Sequence, residues 1–152
     1  MNTKGNKSIF LDGALRAISV FCDYTDYVSM FGSIPLELGV IRNKTLLLDV
    51  LNKKVPGTNI TESKLVSRKE CLENLLDKWI SKPLYKKTNG AWPLAEDFEQ
   101  FFEFLEEFID EGNTSTEAMH IKLTGSNWEY DAEGLVIEDS TEAYFLFFMY
   151  SD

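Results

Sequence analysis

At 152 residues, 44% hydrophobic and 13% aromatic, the chain is long and apolar enough for one folded domain with a real core, and a disordered acidic tail is excluded. Its net charge of −10 argues against free nucleic acid as the ligand, because phosphate binding is driven by cationic side chains. No window approaches 18 uncharged apolar residues, so no membrane-spanning helix is expected.

The polar start, Met1 to Ser8, is expected to be flexible, and the apolar stretch after it is broken by Asp12, Arg16 and Asp23. It lacks the unbroken apolar core of a signal peptide, so the expected location is the cytoplasm and Cys22 and Cys71 are expected as reduced thiols. The first helix is predicted from Asp12 to about Met30, with Leu11, Leu15, Ile18 and Cys22 as its buried stripe and Gly32 and Pro35 ending it. A second helix is predicted over about Leu36 to Lys53, followed by a loop at Pro56-Gly57-Thr58-Asn59. Ser67-Arg68-Lys69-Glu70 fits a capping box with Val66 and Cys71 as a hydrophobic staple. It opens a third helix whose apolar face is Leu72, Leu75, Leu76, Trp79 and Ile80 and which Pro83 is expected to stop.

The fourth helix, about Leu94 to Glu111, carries the strongest pattern. Leu94, Phe98, Phe101, Phe102, Leu105, Phe108 and Ile109 share one arc, the expected core face. Glu96, Glu99, Glu103, Glu106, Glu107 and Asp110 share the opposite arc, and no Lys or Arg occurs between Trp92 and His120. Beyond Gly112 the texture becomes β: Ala118 to Leu123, Asn127 to Asp131, Leu135 to Glu138 and Ala143 to Tyr150, with turns at Gly125 and Gly134. The last segment is also compatible with a buried helix. The expected class is α+β, a single domain over 1–152 with N-terminal helices followed by a C-terminal antiparallel sheet that carries the helices on one face.

Charge is unevenly divided along this order. Residues 1–90 carry 14 Lys/Arg against 9 Asp/Glu, whereas residues 91–152 carry 16 Asp/Glu against Lys122 alone. The like-charge pairs Glu99–Glu103, Glu103–Glu107, Glu106–Asp110 and Glu107–Glu111 at four-residue spacing cost the helix roughly 1–2 kcal/mol together. Asp110 and Glu111 also face the unfavourable end of the helix dipole. A field that costs this much points to a partner of opposite sign, with pairing to Lys82, Lys86 and Lys87 as the intramolecular alternative. Trp128 and Tyr130, set among Glu129, Asp131 and Glu133, are expected to add aromatic anchors to the acidic surface, or else to pack in the core.

Catalytic signatures are lacking. There is no GxSxG, Walker loop, GxGxxG or Cys/His ligand cluster, and the single histidine, His120, reads as a structural strand residue. Asp131-Ala132-Glu133-Gly134 lacks the remaining ligands of a calcium loop. No enzyme activity, cofactor or metal is expected.

In size, acidity and aromatic core the chain resembles the immunity proteins of bacterial polymorphic and contact-dependent toxin systems. Trp92-Pro93-Leu94-Ala95-Glu96-Asp97-Phe98-Glu99-Gln100-Phe101-Phe102-Glu103-Phe104-Leu105 is similar to a helix of the SUKH superfamily of immunity proteins, although that family's Leu-Pro-x-x-Tyr segment is not found and about 40 residues follow the helix here. The resemblance implies a cognate toxin domain as partner, often a basic nuclease, neutralised by occlusion. Two other binding roles fit the same features, a small acidic secretion chaperone for an effector and a nucleic-acid mimic that inhibits a DNA-binding protein, and a hydrolase is the enzyme alternative.

Overall fold

The computed structural model describes residues 13, 27–35, 40–54, 56–92, 94–110, 116–125, 128–138 and 142–150. Five strands form one antiparallel sheet in the order β1-β5-β4-β3-β2: β1 Tyr27–Pro35, β2 Thr58–Ser67, β3 Glu117–Gly125, β4 Trp128–Glu138 and β5 Glu142–Tyr150. The helices are α1 Lys44–Lys54, α2 Arg68–Leu76, α3 Lys82–Lys87 and α4 Ala95–Asp110, with a short 3₁₀ turn at Val40–Arg42. The α+β class and the antiparallel C-terminal sheet agree with the sequence. Both edge strands, however, come from the N-terminal half.

Side-chain alternation along the strands divides the core in two. On one face Ala118, Leu135, Ile137, Leu146 and Phe148 pack under Leu72, Leu76, Trp79, Leu84 and Leu105 of the α2–α4 segment. On the other, Ile121, Leu123, Ala132, Val136, Phe145 and Phe147 pack against Ile41, Leu47 and Leu51. Helices thus cover both faces, not one. That is why Phe145 to Phe148 are buried without alternation: a strand covered on both sides has no wet side. Trp79 stacks on Phe148 at 5.8 Å between ring centroids, and Phe145 on Phe147 at 5.1 Å.

Five local expectations are corrected. Tyr27 to Met30 open β1, paired with Phe147 to Tyr150, and are not the end of a helix; the rest of the first predicted helix, bar Gly13, lies outside the described residues, as do Cys22 and Met1 to Ser8. The second helix begins at Lys44, not Leu36. Its end is tied to β2 by Asn52, whose amide accepts from Thr58 N–H at 2.9 Å and donates to Thr58 O at 2.8 Å.

Pro83 does not stop the third helix. The chain widens into one π turn over Asp77–Ser81, with Lys82 N–H bonding to Asp77 O, and continues as α3. Pro83 falls in the first turn of α3, the position at which a helix tolerates proline. Ser67 is both the last residue of β2 and the N-cap of α2, and it makes no side-chain capping bond.

Gly134 is not a turn but an interior residue of β4. A Cβ there would lie 1.9 Å from Cδ1 of Phe147, so the ring occupies the space a side chain would need.

Candidate functional site: the outer face of α4

α4 is held to the sheet by Phe102 and Leu105, with Phe98 and Phe101 half-buried beside them. The amphipathic spacing that buries these rings turns Glu96, Glu99, Glu103 and Glu107 outward, and all four are exposed. Among the described residues none of the four has an ion pair. Lys82, a proposed intramolecular counter-charge, turns instead to Asp77 at 3.3 Å.

Beside this row are exposed apolar side chains that the helical arc did not identify. Phe104 is 49% exposed and Leu94 58%, and Trp92 is also exposed. Leu94 falls off the core face because α4 begins at Ala95 and the residue before it does not follow the helical phase. Phe104 sits at the flank of the acidic arc, a position that a wheel projection shows and that a reading centred on charge passes over.

Two acids of the expected surface are not on it. Glu106 is buried, its Oε2 3.4 Å from Nη2 of the equally buried Arg68. The pair lies under a cleft of about 460 Å³ between the start of α2 and α4, with Phe102, Glu103 and Glu107 on the α4 side. Burial of an arginine at the β2–α2 junction requires an anion, and α4 supplies it.

Glu133 is the second. On β4 it points into the α2–α4 side of the sheet, where its Oε1 accepts from Lys78 Nζ at 2.5 Å and Trp79 Nε1 at 2.8 Å, and Oε2 lies 2.8 Å from His120 Nε2. An ionised carboxylate only accepts, so His120 Nε2 carries the proton. Burial by itself raises the Glu133 carboxyl, but the bonds from His120, Lys78 and Trp79 and the Lys78 charge outweigh it and lower the group from its ordinary 4.5 to about 2. Cys71 lines the same hollow of about 350 Å³, and its thiol is pushed up to about 11 by burial and by the Glu133 charge. Glu133 is therefore an ionised, fully engaged acceptor, and Cys71 is not a thiolate at neutral pH. The cluster clamps the π turn to β3 and β4 and has neither a poised base nor an activated thiol. His120 stands in the strand position expected of it.

Trp128, Glu129, Tyr130 and Asp131 lie in β4, with Gly125 opposite Trp128, but their side chains are outside those described. Asp110 ends α4, and its side chain is likewise outside. The structure therefore brings together Glu96, Glu99, Glu103 and Glu107 as one exposed row and separates Glu106 and Glu133 from it. Among the described residues no three His, Cys, Asp or Glu side chains converge as a metal ion would require, and no helix is long and apolar enough to cross a membrane. In comparisons with known proteins, no family model, no curated protein and no solved structure matches the chain.

Proposed function

We propose that the chain is an immunity protein: a cytoplasmic inhibitor that binds one cognate toxin domain, a basic nuclease, and blocks it by stoichiometric occlusion. The observation that carries this reading is the row Glu96, Glu99, Glu103 and Glu107, exposed on a well-anchored helix and without ion pairs among the described residues. Like charges at four-residue spacing cost α4 about 1 kcal/mol, and a basic cleft would turn that cost into attraction. A field of one sign speeds association, while Phe104 and Leu94 beside it offer apolar surface to be covered in the complex, which slows release.

The direct test is affinity capture of the tagged protein from its native host, washed at low and at high salt. A single basic domain held one to one and released by salt is the expected result. Recovery of an unfolded effector segment would favour a chaperone, and recovery of several unrelated DNA-binding proteins a nucleic-acid mimic.

A further inference from the structure

The outer edge of β2 carries a separate inference. β2 is the last strand in the sheet order, ten residues long, and Thr61, Glu62, Ser63 and Lys64 are exposed. An edge of this length offers backbone groups to another strand unless something blocks it.

The ladder fixes which groups face outward. Arg68 N–H donates to Thr116 O at 2.9 Å, one step beyond the Ser67–Glu117 pair, so residues 68 and 116 form a bonded pair. Bonded and non-bonded pairs alternate along an antiparallel ladder. Val66–Ala118 and Lys64–His120 are then the bonded pairs, and Ser63, Leu65 and Ser67 direct their N–H and C=O away from β3.

The side chains on this edge are self-complementary. Glu62 and Lys64 flank Ser63 and point to the same face of the sheet; Glu62 lies 3.2 Å from Lys122 of β3 but stays largely exposed, so its second oxygen is open to a cation from outside. If the strand is laid antiparallel on a second copy about a two-fold axis through Ser63, Ser63 meets Ser63 and each Glu62 meets Lys64 of the other copy. The Ser63 pair uses the outward backbone groups, so the two Glu62–Lys64 pairs fall at non-bonded positions, where side chains are closest.

Leu65 and Val66, half-buried in the single chain, gain cover on the same edge. Residues 58–70 carry Glu62 and Glu70 against Lys64, Arg68 and Lys69, so the acidity of the C-terminal half does not oppose contact here. The bulge between Ile60 and Glu62 limits the matched length and, with the two-fold, closes the assembly at two copies.

We infer that β2 is a self-association edge: two copies of this chain join antiparallel through Ser63, with Glu62 and Lys64 as the reciprocal charge pair, into one continuous sheet. The inference does not depend on the role of α4.

Size-exclusion chromatography with light scattering across a dilution series tests it, with near-ultraviolet circular dichroism as a check that each variant is folded. The wild-type chain is expected at twice its 17.4 kDa mass at the upper concentrations. Lys64→Glu places like charges opposite each other twice and is expected to weaken the dimer at least about tenfold. The exchanged pair Glu62→Lys/Lys64→Glu, made together with Lys122→Glu so that position 62 keeps an opposite charge on β3, is expected to restore it. A wild-type chain that stays monomeric throughout, as it would if the edge served another protein, overturns the inference. So does a dimer unaffected by Lys64→Glu, or one that the exchanged pair fails to restore.

Discussion

The protein treats its acidic residues in two opposite ways. Glu106 and Glu133 are buried and matched, one to Arg68 and the other to Lys78, Trp79 and His120. Glu96, Glu99, Glu103 and Glu107 are exposed on α4 and have no ion pair among the described residues. One helix holds both kinds: Glu106 and Glu107 are adjacent, yet a single 100° step takes one to Arg68 and the other to solvent. The difference teaches that acidity alone does not mark a binding surface. The inner acids are needed because Arg68 and ring N–H groups are buried beside them, whereas the outer acids have no ion pair within the described fold.

Substitutions that cross this division separate the two kinds. Glu106→Lys, which would seem to weaken partner binding, is expected instead to unfold the protein, because it sets a second cation against buried Arg68. Chemical denaturation should show a loss of about 4 kcal/mol, the scale for breaking a buried ion pair. Glu133→Ala leaves Trp79 Nε1 and His120 without their acceptor and is expected to cost about 3 kcal/mol, with Glu133→Gln costing less because one oxygen remains to accept.

Acid sharpens the comparison further. The Glu133 carboxyl titrates near 2 in the folded chain and near its ordinary 4.5 when unfolded, so the unfolded state binds more protons between those values. Its contribution is complete above about pH 4.5 and is lost as pH falls toward 2. Denaturation midpoints followed from pH 6 down to about pH 2 should fall less steeply in Glu133→Gln than in the wild type. A parallel decline in both would remove Glu133 from the account.

Cys71 should report the same clamp. With its thiol pushed up to about 11, alkylation at neutral pH is expected to be slow in the folded Cys22→Ser protein and to accelerate in denaturant. The smallest effect belongs to the outer row: Glu99→Gln/Glu103→Gln/Glu107→Gln is expected to raise stability by about 1 kcal/mol, read as a higher denaturant midpoint.

The sequence made α4 legible because its rings and acids repeat with the helical period over sixteen residues. β3 was legible from its alternation, β4 only as two pieces on either side of Gly134, and the continuous apolar texture of β5 was also compatible with a buried helix. β2 was not legible, because Thr61 to Lys64 are polar on an open edge and leave no hydrophobic period to read.

Gly134 was misread because a glycine that makes room for a ring looks, in sequence, like a glycine that makes a turn. Arg68 lies 38 residues from Glu106, and Trp79 and Lys78 lie 54 and 55 residues from Glu133; pairing at that distance is set by the sheet register and the π turn. The one signal available in the sequence was a lone histidine, His120, in a predicted strand near the acidic run Glu129 to Glu133.

The most direct test of the outer row is capture from the native host by the wild type and by Glu99→Gln/Glu103→Gln/Glu107→Gln in parallel, with both confirmed as folded. The expected result is one basic domain held one to one by the wild type, released by salt, and lost from the more stable variant. Equal capture by the two, at equal salt sensitivity, would contradict the claim that these carboxylates are kept for a partner.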